Sequence, residues 1–162
     1  MTAKPATTRQ TVRIGGKRMV VTTRAGKVTT KPAPPEEWEL QAAQVRRLRA
    51  MPEYGKRFLL AGDMNAAKRG PRAQQEAIAA GLTPGESDLR IYLDGARLRM
   101  IENKVGSGRL SPPQVDRHAK LAALGHDVAV VRAVSENEAA DKAVALVRGW
   151  LEEKSDDMKI AA

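Results

Sequence analysis

The feature that most constrains this chain is a proline-rich break, Lys31-Pro-Ala-Pro-Pro35, which divides an acid-free arm from a charge-balanced body. Proline fixes φ and carries no N–H, so such a stretch cannot continue a helix or lie inside a sheet and reads as a stiff linker. Residues 1–35 hold eight Lys and Arg and no Asp or Glu, whereas the rest hold 20 basic and 19 acidic groups. Nearly all of the formal net charge of +9 therefore sits in the arm. A basic arm neutralises phosphates and releases their counterions, giving a salt-sensitive affinity for nucleic acid that does not depend on sequence. Arg13, Lys17 and Arg18 are its candidate contacts, and a solvated tail is the plainer alternative. Within the arm, Val12-Arg-Ile-Gly15-Gly16-Lys-Arg-Met-Val-Val21 alternates around a Gly-Gly pair, and Arg24-Ala-Gly26-Lys-Val repeats the theme. Both predict tight hairpins, hence a small basic β-meander.

The body, residues 36–154, reads as interleaved helices and strands, with 155–162 as a tail. Pro35-Glu-Glu-Trp-Glu39 suits a helix start, with acids at the positive end of the dipole and Trp38, Ala42, Val45 and Leu48 as its apolar stripe. Phe58-Leu-Leu-Ala61 predicts a buried strand, and Pro71 to Ala80 a short helix closed by Gly81. Asp88 to Leu93 and Arg97 to Lys104 form two strands around an Asp94-Gly95 turn. Ser111-Pro-Pro-Gln114 is a capping box opening a helix that Gly125 closes, Asp127-Val-Ala-Val-Val131 is an apolar strand covered on both faces, and Ser135-Glu-Asn-Glu138 opens the last helix. The class is α/β, with a mixed central sheet flanked by helices and a basic N-terminal β-hairpin arm.

Composition excludes several functions. With no cysteine there is no disulfide scaffold, thiolate metal site or thiol nucleophile. Two Trp, two Tyr and one Phe are too few for a protein that holds bases mainly by stacking. No apolar run approaches the roughly 20 residues that cross a bilayer, and the N-terminus lacks a signal-peptide stretch, so a cytoplasmic setting with no membrane partner is expected. No glycine-rich phosphate loop is present.

Three charged residues carry the chemistry. Glu102 and Lys104 are two apart on one strand and leave the same face of the sheet, and the hairpin can bring Asp88 near them. Two carboxylates converging beside a lysine are costly unless a divalent cation neutralises them. Mg²⁺ takes such carboxylates together with water and phosphate oxygens, and a neighbouring lysine can hold the attacking water, which is a design for phosphodiester hydrolysis. Taken alone, the spacing also fits a solvated hairpin face.

The ordered set Gly81-Leu-Thr-Pro-Gly-Glu-Ser-Asp88-Leu, Ile101-Glu-Asn-Lys104, Gly108-Arg-Leu-Ser-Pro-Pro-Gln114 and Leu121-Ala-Ala-Leu-Gly-His-Asp-Val-Ala-Val-Val131 resembles the VRR-NUC (virus-type replication-repair nuclease) domain of the PD-(D/E)XK superfamily. The resemblance covers about residues 36–150. It implies a restriction-endonuclease-like core and a Mg²⁺- or Mn²⁺-dependent, structure-selective DNA endonuclease. Small stand-alone members, many of them phage-encoded, resemble Holliday-junction resolvases that act on branched DNA as homodimers. Carried over by position, Asp88, Glu102 and the Asn103 carbonyl would be metal ligands, Lys104 would position the water, and Gln114 would lie near the scissile phosphate. Glu39 matches the family's N-terminal acid, with Glu36 and Glu37 as the other candidates. Glu86 stands where the family has an apolar residue and could tune the metal site or face solvent; Asn65 falls where relatives carry an Asn. Arg69, Arg72 and Arg109 are candidate phosphate contacts, while His118 and His126 read as structural or exposed. The other functions compatible with this pattern are an inactive DNA-binding or packaging-associated protein of the same fold, and a nuclease of linear DNA or RNA.

Overall fold

A computed structural model describes residues 6–63 and 69–153. Asn65 and the tail at 155–162 lie outside the described residues. The chain divides into two compact units, Met1–Pro34 and Pro35–Ala162. No described helix is long and apolar enough to cross a membrane.

The first unit is an antiparallel three-stranded sheet in the order β1 (Thr7–Ile14), β2 (Lys17–Arg24), β3 (Lys27–Pro32). Both turns are two residues long with positive φ at each position, 57° and 79° at Gly15-Gly16 and 49° and 76° at Ala25-Gly26. That backbone matches the twist of the flanking strands and is why the Gly-containing dipeptides signal hairpins.

The second unit is α/β. Its elements are α1 (Glu37–Arg49), β4 (Phe58–Gly62), α2 (Pro71–Ala79), β5 (Leu89–Leu93), β6 (Arg97–Val105), α3 (Pro112–Ala123), β7 (Val128–Ala133) and α4 (Glu136–Glu152). The sheet runs β4-β5-β6-β7, antiparallel except for β6 with β7, which are parallel and joined through α3. Capping boxes start α1 (Glu36, Glu39) and α3 (Ser111, Gln114), and the Ser135 side chain accepts from the Glu138 N–H at the start of α4.

The main core joins α1 and α4 to one sheet face: Leu48, Leu89, Ile91, Ile101, Val131 and Val147 are all buried in one cluster. Since side chains alternate along a strand, Ile101, Asn103 and Val105 of β6 face α1 and α4, while Met100, Glu102 and Lys104 leave the other face, where α3 lies.

Four expectations change. Strand β3 runs on through Lys31 and Pro32, the first two residues of the proline-rich break, which an edge strand tolerates because Pro32 need not donate to a further strand. The buried positions of α1 are Leu40, Ala43, Gln44 and Leu48, whereas Trp38 is 59% exposed and its indole donates to Glu36 at 2.6 Å. The β4 segment is an edge strand with Leu59 54% exposed, not a buried one. The β7 strand is also an edge, and only Val131 and Ala133 of it are buried, so its apolar run reflects α4 on one side more than cover on both. A continuous apolar run does not by itself tell an edge from a centre, because the cover comes from elements distant in sequence.

Candidate catalytic site

Asp88 directly precedes β5, at the end of the turn Pro84-Gly-Glu-Ser87. Gly85 has φ +81°, and a Cβ there would stand 2.3 Å from the Pro113 carbonyl oxygen, so only glycine lets this turn close on the start of α3. The carboxylate of Asp88 accepts from the Asn103 backbone N–H at 2.6 Å. Its carbonyl accepts from Gln41 Nε2 of α1 at 2.9 Å and from the Asp63 N–H at 2.8 Å. Both ends of the residue are thereby fixed, one to β6 and the other to α1 and the β4 end.

Glu102 and Lys104 lie on the same face of β6, as their spacing predicts, and both are buried. Glu102 Oε1 accepts from Lys104 Nζ at 3.0 Å and from the Gln114 side-chain amide. Glu102 Oε2 is buried with no hydrogen-bond partner. An ionised carboxylate with one oxygen unsatisfied in a dry place is expensive. Burial and then the neighbouring Asp88 charge push Glu102 up to about 7, and burial first, opposed by the Asn103 N–H, raises Asp88. Lys104 moves the other way from a typical buried amine. Burial pulls its pKa down, but the hydrogen bonds to Glu102 and Glu37 outweigh this and leave it raised. It is an ammonium at neutral pH, a donor and a charge rather than a base.

The first-helix acid that reaches the site is Glu37, whose Oε1 lies 3.0 Å from Lys104 Nζ. The Glu39 carboxylate instead accepts from the Glu36 N–H at 2.7 Å, closing the capping box. One residue separates the choices, and the helix start decides which carboxylate caps and which points at β6.

Gln114 has two jobs at once. Its carbonyl oxygen accepts from Ser111 N at 2.9 Å, capping α3, and its amide nitrogen holds Glu102. Asn103 contributes its backbone to the site, while its side chain leaves the other face for a reciprocal amide pair with Gln44, at 2.8 and 3.0 Å, both residues fully buried. The sequence signal for Gln44 is a polar residue four positions after Leu40 on the buried stripe, which a stripe drawn through Trp38 does not include.

Glu86 neither faces open solvent nor joins Asp88. It sits between Arg117, at 2.7 Å, and Arg90, at 3.4 Å, and Arg90 continues to Asp63 at 3.0 Å. His118, one turn beyond Gln114 on α3, has Nε2 buried with no partner, and burial followed by the Lys104 charge lowers its pKa. His126 precedes β7 and is half-buried. Of the arginines, Arg72 pairs with Glu76 at 2.8 Å on exposed α2, Arg109 is exposed between β6 and α3, and Arg69 is half-buried just before α2. In the arm, Arg13 and Arg18 are cross-strand partners, and Lys17 pairs with Ile14.

Among the described residues no group of three or more His, Cys, Asp or Glu side chains gathers in metal-binding geometry. The pair Asp88 and Glu102 nevertheless has donor chemistry that fits a hard divalent cation, and the orphaned Glu102 Oε2 is the lone pair such an ion would satisfy. The Lys104 ammonium bridges Glu102 and Glu37 and supplies positive charge beside them.

No family model, curated protein or solved structure matches this chain.

Proposed function

We propose that the α/β unit is a metal-dependent endonuclease with a PD-(D/E)XK core of the VRR-NUC kind, hydrolysing phosphodiester bonds in branched DNA. The observation that carries this reading is the buried, unpartnered Glu102 Oε2 beside the raised Asp88 carboxylate, with Lys104 on the same strand face. Purely structural ion pairs satisfy their oxygens; this one leaves an acceptor open on a costly buried acid. The ordered motif set that resembles the VRR-NUC domain supports the same reading.

Asp88 and Glu102 would hold Mg²⁺ or Mn²⁺, with the Asn103 carbonyl as a third donor and the first-helix acid, Glu37 by its position, completing the set. When bound, the ion supplies charge to the phosphate and lowers the pKa of water. The chain's own residues do the rest. The Asn103 N–H and Gln41 hold Asp88 in place, and Gln114 fixes the rotamer of Glu102. Lys104 would donate to a water or to a phosphate oxygen and oppose the negative charge that builds up as the water oxygen bonds to phosphorus and the bond to O3′ breaks, the water's proton passing to solvent and O3′ taking one from solvent. The products would be a 5′-phosphate and a 3′-hydroxyl. A chain with one such site needs a second copy to cut two strands symmetrically, so a homodimer belongs to the same proposal.

The test is cleavage of end-labelled four-way junction, flap and linear duplex DNA with Mg²⁺, Mn²⁺ or EDTA. Paired, metal-dependent cuts in the junction that vanish in Lys104→Ala are expected. Binding without cutting in either metal would overturn the enzyme reading in favour of a DNA-binding protein of this fold.

A further inference from the structure

The register of the arm sheet sorts its charges by face. Side chains alternate along each strand, and directly paired residues share a face. Arg9 pairs with Thr22, Arg13 with Arg18, Thr11 with Val20 and Thr7 with Arg24; across the second ladder, Val20 pairs with Lys31, Thr22 with Thr29 and Arg24 with Lys27. One face therefore carries Arg9, Arg13, Arg18, Arg24, Lys27 and Lys31, separated by threonines and Val20. The other face carries Val12, Ile14, Met19, Val21 and Val28, with Lys17 as its cation among the described residues. Charge segregation along the sequence thus becomes, through the hairpin register, segregation between two sides of one sheet.

The arrangement costs the sheet stability. Arg13 faces Arg18 and Arg24 faces Lys27 directly across the two ladders, and like charges in that position repel. For Arg24 and Lys27 no Asp or Glu within the arm relieves this. A polyanion laid on this face would. The three strands lie about 4.8 Å apart, and cations on one strand stand four or six residues, about 14 or 20 Å, from each other, so the six span a patch of roughly 10 Å by 20 Å. Duplex nucleic acid presents one negative charge per about 1.7 Å of its axis, so a patch of that size meets several phosphates. The side chains interleaved with the cations are threonine hydroxyls, which hydrogen-bond phosphate oxygens. Residues 6–34 contain no aromatic side chain, so the face has nothing on which unpaired bases would stack. Its apolar side chain, Val20, is buried at 3% exposure, so the face offers none with which a basic surface enters a lipid interface.

We propose that this single face of the arm, and not its reverse side, is a phosphate-backbone contact for duplex nucleic acid, separate from the Asp88–Glu102–Lys104 site. The inference rests on the sheet register and holds whether or not the α/β unit cuts DNA. Lys17, which sequence alone groups with Arg13 and Arg18, is excluded from the contact by its face.

The test uses the full chain in EDTA, where metal-dependent cleavage is off, and follows fluorescence anisotropy of a labelled, unbranched duplex over a salt series. Arg13→Gln should weaken binding several-fold and flatten the slope of log K against log salt by about 0.9. Arg9→Gln/Arg13→Gln/Arg24→Gln should flatten it about three times as much. Lys17→Gln removes the same single charge from the same hairpin but from the other face, and should leave the slope as it was. Arg13→Lys, which keeps the charge, should keep the slope, and this guards against a loss caused by unfolding. Equal losses from Arg13→Gln and Lys17→Gln would mean that net charge, not the face, drives binding and would overturn the proposal. An undiminished slope in the triple variant, or displacement of the duplex by anionic lipid vesicles at matched charge, would overturn it too. Failure in the cleavage assay leaves these binding outcomes unaffected, so the two proposals fail separately.

Discussion

The arm and the α/β unit use charge in opposite ways. In the arm, five exposed cations and the half-buried Arg18 are spread over one sheet face, and what matters is their number and side. In the α/β unit, Glu102 and Lys104 are nearly sealed, at 0% and 6% exposure, and what matters is where each atom points. Solvent-exposed charge is cheap, interchangeable and screened within about 10 Å at 0.1 M salt. Buried charge is costly, tied to specific partners and little affected by salt. A surface like the arm's can recognise a polyanion in many registers, whereas a buried triad can stabilise one arrangement of one reacting group. That contrast is open to attack by substitution, pH and salt.

The largest effect should come from the buried side. Lys104→Ala removes the ammonium that holds two carboxylates and would oppose developing charge on phosphate; metal-dependent cleavage should fall on the order of 10³-fold. Duplex binding through the arm should stay within about two-fold, at one kT of free energy or less. Anisotropy and gel-based cleavage on the same preparation separate the two quantities. A comparable fall in both would erase the distinction between the regions.

Next in size is Gln44→Ala. Gln44 and Asn103 satisfy each other's amides in a fully buried pair, so truncation leaves Asn103 unpaired and opens a cavity. The expected loss is about 3 to 4 kcal/mol of unfolding free energy in urea. Replacing both amides by leucine should recover more than half of it, because no orphaned polar group is left. A double variant as unstable as the single one would show that the pair holds β6 against α1 by more than mutual satisfaction.

How much of this was readable from sequence follows the same division. The hairpins and the order of helices and strands were legible because they rest on local chemistry: Gly-containing turns with positive φ, a capping box at Ser111, an N-cap serine at Ser135, and alternation in β5. The pairing of Glu102 with Lys104 was legible for the same reason, since a spacing of two fixes a common face. Glu37 in place of Glu39, the burial of Gln44 and the Arg117–Glu86–Arg90–Asp63 chain were not, because each depends on how a helix is rotated or on partners 27 to 59 positions away. The two-sidedness of the arm lay between these cases. Its alternation was visible, but deciding which residues share a face across three strands needed the register.

The pH dependence comes third. Glu102 is pushed up to about 7 from an ordinary 4.5, by burial first and by Asp88 second. Below the unfolded value both states hold the proton and the contribution is fully present. As pH rises from about 4.5 through 7 the unfolded chain releases the proton while the folded one keeps it, so stability falls across that window and levels off above it. At 1.36 kcal/mol per pKa unit the loss is on the order of 3 kcal/mol in EDTA. The raised Asp88 acts in the same direction. Denaturant unfolding at pH 5 and pH 8 should show the drop, and Glu102→Gln should remove most of it. Equal stability at the two pH values would mean that the carboxylate is better solvated than its burial indicates.

The smallest effect should come from an exposed pair in the α/β unit itself, which makes it the control for the whole comparison. Arg72 and Glu76 meet at 2.8 Å across one turn of α2, but their side chains are 93% and 64% exposed. Such an i,i+4 pair is worth about 0.3 to 0.5 kcal/mol at low salt and less as salt rises. Arg72→Ala should thus shift stability by no more than about 0.5 kcal/mol, and alanine's helix propensity offsets part of that. If Arg72 is instead a phosphate contact, the same variant lowers the salt slope of duplex binding by about 0.9 while leaving stability alone. The arm's charges and α2's would then belong to one class, defined by exposure and not by the unit in which they lie. A loss of several kcal/mol would contradict that division directly, because it would give an exposed ion pair the weight reserved here for Glu102 and Lys104.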